Sequence, residues 1–252
     1  MNVTFLGTGT SHGVPMIGCD CPVCTSKDPK NQRTRTSVLV EVSGKNLLID
    51  TPPELRLQVI RENIRRVDAV LFTHAHADHI FGLDDVRRFN DLSGHVMPCY
   101  GSKQTLDTIH RAFDYVFVPT QLGGGKPALD LIPIDGAYDV DGVAITPVPI
   151  FHGRISVYGY RIGDFAYVTD CSRIPDSSAP LLEGLDTLVL GVIRHEPHET
   201  HFSVCEGLAV AERFKPRQAY FTHIAHRLDH RQTNSALPPS VQLAYDGLRI
   251  SI

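Results

Sequence analysis

Seven residues, Thr73-His74-Ala75-His76-Ala77-Asp78-His79, constrain this chain more than any other stretch in it. The run Asp68-Ala69-Val70-Leu71-Phe72 reads as a strand that delivers the chain to them, and Ile80 to Arg88 reads as a helix that leaves. In extended backbone, alternate side chains share a face, so His74 and His76 can converge on one point. Where the chain turns into helix, Asp78 and His79 swing toward a second point close by. Two imidazoles for one ion, with a carboxylate and an imidazole for the next, is ligand spacing for a dinuclear hydrolytic site. A merely solvated His-rich loop would need no partners elsewhere, and this chain supplies them.

Three further candidates each stand just past an apolar strand: His152 after Ile145 to Phe151, Asp170 after Phe165 to Thr169, and His223 after Ala219 to Thr222. Strand ends are where a rigid sheet can hold side chains at a common edge and still leave room for a substrate. Taken singly, each would be read as structural. Taken with the central stretch, they read as ligands.

Composition sets the outer bounds. A chain of 252 residues is long enough for one large domain or two small ones, and no repeat, low-complexity tract or linker divides it, so one domain over 1–252 is expected. Hydrophobic content of 42% allows a substantial core, and no apolar run is long enough to span a bilayer. The opening Met-Asn-Val-Thr-Phe-Leu-Gly reads as a first strand rather than a leader, so a soluble, cytoplasmic protein is expected. A net charge of -4 gives no general pull toward nucleic acid or an anionic membrane, although a metal pair could still attract a phosphate locally.

Strands dominate the pattern. Val3–Leu6 precedes a Gly/Thr/Ser loop over Gly7–Gly13; Thr36–Val42 and Asn46–Asp50 form a hairpin about Ser43-Gly44-Lys45. Pro52-Pro53 opens a helix carrying Leu55, Val59 and Ile60, and Ser102 caps another carrying Leu106, Ile109 and Phe113. Val96–Tyr100, Leu131–Ile134, Val143–Ile150, Ser156–Ile162, Phe165–Thr169, Thr187–Val192 and Ala219–Thr222 are further strands. Leu122–Pro127 is a candidate flexible loop, and Ser203 with Glu206 makes a capping box for a helix to Phe214. A final hairpin, Val241–Tyr245 and Leu248–Ile252, is turned at Asp246-Gly247. Two sheets face to face with helices outside, an α/β (α+β) four-layer αββα sandwich, is the expected architecture.

With these residues in place, the chain resembles the metallo-β-lactamase-fold hydrolases, whose His-x-His-x-Asp-His signature is met at His74–His79. The resemblance implies one divalent ion on His74, His76 and His152, another on Asp78, His79 and His223, and Asp170 bridging them. Either zinc or manganese suits such ligands.

Cys19-x-Cys21-x-x-Cys24 offers three thiolates within six residues, and His226, three residues after His223, is a natural fourth ligand for a structural zinc. Such a site would pin the N-terminal loop against the loop carrying His223. Cys99, Cys171 and Cys205 read as ordinary buried or partly buried thiols. The cluster, with Gly7–Gly13 and His223–His226, makes the chain similar to the branch containing the phosphoribosyl 1,2-cyclic phosphate phosphodiesterase of bacterial phosphonate breakdown. A protein of pyrroloquinoline quinone biosynthesis has a similar cluster but a degenerate signature. The branch implies a histidine that serves the leaving group, which is His201 here, with His198 in the same loop competing for the role. It also implies that Asp78 orients the nucleophile as well as binding metal. Arg154 and Arg194 are candidate phosphate contacts, with surface ion pairs as the alternative.

The expected function is a dinuclear-metal phosphodiesterase acting on a small, compact substrate such as a cyclic ribose or nucleotide phosphate. A tRNA 3′-processing endonuclease, a thioesterase and a non-catalytic biosynthetic protein of the same fold are the rivals. Nucleic acid and membrane are not expected partners, and a homodimer is the base-rate expectation.

Overall fold

The computed structural model describes residues 1–119 and 125–252. Strands β1 (Asn2–Gly7), β2 (Ser37–Val42), β3 (Lys45–Ile49), β4 (Ala69–Leu71), β5 (Met97–Gly101) and β6 (Leu129–Pro133) come first. They are followed by β7 (Tyr138–Val140), β8 (Val143–His152), β9 (Ile155–Ile162), β10 (Phe165–Val168) and β11 (Thr187–Arg194). The last four are β12 (Phe202–Ser203), β13 (Gln218–Thr222), β14 (Val241–Leu243) and β15 (Arg249–Ser251). Helices are α1 (Leu55–Arg61), α2 (Ala77–Ile80), α3 (Arg87–Ser93), α4 (Lys103–Ala112), α5 (Asp114–Phe117), α6 (Val204–Phe214) and α7 (His230–Ala236).

Two sheets result, a seven-stranded one in the order β15-β1-β2-β3-β4-β5-β6 and an eight-stranded one in the order β14-β13-β11-β10-β9-β8-β7, with β12 beside β11. Their inner faces meet in one apolar layer, where Val3, Phe5, Val40 and Leu71 oppose Tyr160, Phe165, Tyr167 and Val189. The outer face of the first sheet packs Leu39, Val70 and Phe72 against Leu55, Ile80 and Ile109 of the helices. That of the second packs Ala166, Leu188 and Leu190 with Val204 and Phe214 of α6. Both faces of each sheet are therefore covered, which is why the central strands read as continuous apolar runs rather than alternating ones. The expected four layers are present.

Local signals account for most element ends. Ser203 and Glu206 form the reciprocal capping box at α6, and Ser102 accepts from the Thr105 amide at α4. The β2–β3 hairpin turns through Ser43 and Gly44 at φ +50° and +76°, as a two-residue hairpin turn requires.

Four expectations need correction. The helix expected over 80–88 is broken: α2 ends at Ile80, a short 3-10 turn covers Leu83–Val86, and α3 begins at Arg87. At the break the Gly82 amide donates to the Thr51 carbonyl at 2.8 Å instead of continuing the helix, and only glycine fits there, because a Cβ would lie 2.0 Å from the Pro52 carbonyl oxygen. Ile60, placed by its spacing on the inner face of α1, is 61% exposed. The final hairpin does not form: β14 pairs with β13 in one sheet and β15 with β1 in the other, so Asp246-Gly247 is a crossing between layers. Cys205 is exposed rather than buried. Strand β7 carried too short an apolar pattern to be expected. Of the candidate loop Leu122–Pro127, residues 122–124 lie outside the described residues.

What matters for the site is strand direction. β3 and β4 run parallel, β10, β11 and β13 run parallel, and β8 runs with β10 because each is antiparallel to β9. Their C-terminal ends open on one edge of the sandwich. A parallel bridge between Gly9 and Ile224 and a hydroxyl contact between Thr36 and Thr222 (3.1 Å) clasp the two sheets there.

Candidate metal centre

Every ligand candidate lies at that edge. Asp50 follows β3, His74 to His79 follow β4, His152 closes β8, Asp170 follows β10, and His223 follows β13 directly. Asp50, Asp170 and His223 all adopt left-handed backbone, with φ of +63°, +50° and +58°. Such conformations cost roughly 1–3 kcal/mol each for a residue with a Cβ. Each of these residues stands where its strand has ended, so the left-handed turn takes the chain out of the sheet at the residue that contributes to the site.

The donor atoms gather in two groups. His74, His76 and His152 bring their nitrogens together, with His74 Nε2 only 2.9 Å from His76 Nδ1. Asp78, His79, Asp170 and His223 form the second group, all four side chains buried. Asp170 stands between: Oδ1 lies 3.4 Å from His79 Nε2, and Oδ2 lies 3.3 Å from His223 and 3.9 Å from both His74 and His152. His201 approaches the same Asp170 oxygen from the open side at 3.2 Å, and its ring stacks on that of His223 with centroids 4.8 Å apart.

Hydrogen bonds from the rear hold these rings. His152 Nδ1 donates to the Thr200 carbonyl at 2.8 Å, and His79 Nδ1 meets Asp50 Oδ2 at 2.7 Å, leaving each Nε2 free to face the centre. In the sequence Asp50 reads only as the end of a strand. Its placement after Leu47-Leu48-Ile49 is the same strand-end signal that singled out Asp170 and His223, and could have found it.

The buried groups suit divalent cations. His79 Nε2 and His223 Nε2, which both face Asp170, have no hydrogen-bond partner although buried, and a metal would remedy this at each. Burial would raise the Asp170 carboxyl, yet His223 and His79 hold it well below the usual carboxylate range. Burial would lower His79, but Asp170, Asp50 and Asp78 push it well above the imidazole range, so this cluster of carboxylates favours positive charge at its centre. Burial, with His79 nearby, keeps His74 low and therefore neutral, the form in which imidazole ligates. Burial also brings His201 down to about 4.

The centre floors a cavity of about 420 Å³, a size suited to a small molecule. His198, His201 and Arg194 line it, whereas Arg154 does not; Thr10 to Gly13, Met16, His226 and Arg227 form the facing wall.

Behind that wall sits the cysteine cluster. Cys19, Cys21, Cys24 and His226 bring four donor atoms together, with His226 Nδ1 3.2 Å from Cys19 Sγ and 3.4 Å from Cys21 Sγ. The Cys24 amide draws the Cys21 thiol down to about 6, so it is thiolate at neutral pH, whereas burial pushes Cys24 up to about 11. Tetrahedral zinc is the ion such a donor set takes.

Two sheets carrying this edge define a metallo-β-lactamase-fold hydrolase, and the chain belongs to the β-lactamase superfamily: a profile described as "Beta-lactamase superfamily domain" matches residues 45–224. More particularly, a solved structure described as a new diphosphatase from the PhnP family is 44% identical, with a TM-score of 0.93 over 100% of this chain and 97% of that one. The octanoyltransferase of Porphyromonas gingivalis is 34% identical over 258 residues, which are 100% of this chain but 52% of that protein; the chain thus spans about half of that relative. The coenzyme PQQ synthesis protein B of Methylobacterium radiotolerans is 27% identical over 237 residues, covering 78% of this chain and 74% of the relative.

Proposed function

We propose that this hydrolase cleaves a small phosphodiester, with a cyclic ribose or nucleotide phosphate as the substrate class that fits best. The carrying observation is His201, a largely buried imidazole beside Asp170, on the open side of two adjoining cation cradles. In this reading His74, His76 and His152 would hold one zinc or manganese ion, Asp78, His79 and His223 would hold the other, and Asp170, which stands between the two groups, would serve the pair. Such a pair, when bound, would lower the pKa of a water toward neutrality and neutralise charge at phosphorus.

The rest falls to side chains. Asp78 orients the attacking oxygen. His201 lines the cavity, held through Nδ1 by the Thr200 hydroxyl at 2.8 Å and with Nε2 3.2 Å from Asp170 Oδ2; in this reading Nε2 turns from Asp170 to the leaving oxygen when substrate is bound. An anionic phosphodiester beside this ring raises its low pKa and lets it carry the proton that the departing alkoxide needs. His198 lies at hydrogen-bond distance from the same Thr200 hydroxyl, 3.2 Å, and forms the outer side of the proton path. A structural zinc on Cys19, Cys21, Cys24 and His226 keeps the facing wall in place.

The similarity to a diphosphatase of the PhnP family supports phosphorus over acyl chemistry. The octanoyltransferase relative extends well beyond the matched region, and this reading takes no acyl transfer from it. No long Lys/Arg-rich arm interrupts the sequence, which favours a small substrate over tRNA. The signature His74–His79 is intact, which favours a catalyst over a biosynthetic binding protein. A cytoplasmic homodimer completes the proposal; among the described residues no helix is long and apolar enough to cross a membrane.

Metal-free protein reloaded with manganese or zinc is the material for the test. The substrates are bis(p-nitrophenyl) phosphate, 2′,3′-cyclic nucleotides, a ribose cyclic phosphate, an acyl thioester and a β-lactam. Turnover of the phosphodiesters, lost in Asp78→Ala, is the expected result. Turnover of the thioester or lactam alone would refute the substrate class and leave the fold standing.

A further inference from the structure

The structure assigns to Thr73 a positioning role that ties both halves of the metal cradle to one carboxylate, a role that rests on the metal-hydrolase reading above. Thr73 and Asp50 are buried neighbours at the ends of the adjacent parallel strands β4 and β3. Asp50 Oδ1 accepts from the Thr73 amide at 2.8 Å. Asp50 Oδ2 lies 2.7 Å from the Thr73 hydroxyl and 2.7 Å from His79 Nδ1.

Donor counting decides the rest. A threonine hydroxyl has a single proton, and Asp50, as a carboxylate, can only accept. With that proton directed to Asp50, the Thr73 oxygen is left to accept from His74 Nδ1, 3.0 Å away. His74 therefore carries its proton on Nδ1 and turns Nε2 toward His76 and Asp170. His79 reaches the same carboxylate directly and presents its own Nε2 to Asp78 and Asp170. One carboxylate thus fixes the tautomer of an imidazole in each half, and only the His74 half depends on the hydroxyl. His152 is secured independently, on the Thr200 carbonyl.

Removing the hydroxyl should therefore weaken one half selectively, whereas removing the Asp50 charge should weaken both. Losing an outer hydrogen bond of this kind lowers metal affinity by about 10–100-fold. Full-length metal-free protein is titrated with manganese, bound metal is counted after gel filtration, and spin coupling between the ions is followed by electron paramagnetic resonance. Wild type and Thr73→Ser are expected to give the coupled two-ion spectrum at two active-site equivalents. Thr73→Val is expected to bind one ion at wild-type affinity and the other about tenfold or more weakly, giving an isolated-ion spectrum. Anomalous scattering should place the retained ion on Asp78, His79 and His223. Asp50→Asn should weaken both ions. If Thr73→Val does not fold by thermal melting in chelator, Thr73→Ala and Thr73→Cys replace it.

Equal affinity for both ions in the hydroxyl-free variants, equal loss of both, or prior loss of the Asp78–His79–His223 ion would each overturn the role. Selective loss in a protein inert toward every phosphodiester would refute the proposed substrate and support the role of Thr73. A wild type that binds no ion pair would refute both.

Discussion

The two donor clusters on either side of the cavity are built in opposite ways. The cysteine cluster draws three of its four donor residues from one short loop, Cys19 to Cys24, and only His226 comes from elsewhere. These donors are mostly half-exposed. The His/Asp cradle draws on strand ends of both sheets, and most of its side chains are fully enclosed and hydrogen-bonded from behind. A cluster of the first kind needs a metal to give the loop its shape. One of the second kind is set by the sheets, and its strained backbone at Asp50, Asp170 and His223 is carried by their packing. One site organises a segment, and the other is organised by the fold.

That contrast can be broken most decisively at His201. His201→Ala should lower phosphodiester turnover by about 10²–10⁴-fold, the usual contribution of a proton-transfer group, while both active-site ions stay bound. Normal turnover, or loss of an ion, would show that His201 has been misplaced in the mechanism.

Cys21→Ser addresses the other cluster. One zinc per chain should disappear, and the melting temperature should fall, by roughly 2–4 °C for each 1 kcal/mol of stability lost in a protein of this size. Turnover at 25 °C should change far less than in His201→Ala, because the sheets hold the cradle. An unchanged metal count would remove the structural zinc from the account.

The smallest effect concerns the brace behind both clusters. Arg33, fully buried, contacts the Thr8 hydroxyl, the Ala244 carbonyl and the ring of His230. Burial, then the charge of Arg33, lowers His230 from 6.5 to about 4. Because the unfolded chain binds this proton first, stability should be complete above about 6.5 and decline as pH falls toward about 4. Nuclear magnetic resonance titration of His230 should find its midpoint near the lower value; an ordinary imidazole titration would show that the ring is not held neutral by the brace.

Legibility in the sequence followed the same division. His74 to His79 and Cys19 to Cys24 could be read because their spacing is local, and His152, Asp170 and His223 because each ends an apolar run. Asp50 and Thr73 escaped as functional residues, since their importance lies in a hydrogen-bond geometry that only the pairing of β3 with β4 creates. Gly82 escaped because nothing in the helical pattern announces the approach of the Pro52 carbonyl. The terminal strands mislead for a related reason: Asp246-Gly247 has hairpin chemistry, but the half-buried Asp246 is bonded to Thr8 and Thr34, which hold it at a crossing between layers.

That crossing has a consequence for how the molecule can be joined to others. It brings β15 alongside β1, and the terminal residues pair through the Met1 amino group on the Ile252 carbonyl and the Ile252 amide on the Met1 carbonyl, both at 2.9 Å. β1 runs toward the cavity and β15 away from it, so both ends emerge at the pole remote from the catalytic edge. A polypeptide appended at either end would leave from a single point, like a stalk, without obstructing substrate entry. The same closure makes the backbone nearly a ring, so linking the ends and reopening the chain at the exposed Ser43-Gly44 turn would give a permuted protein with its cavity undisturbed.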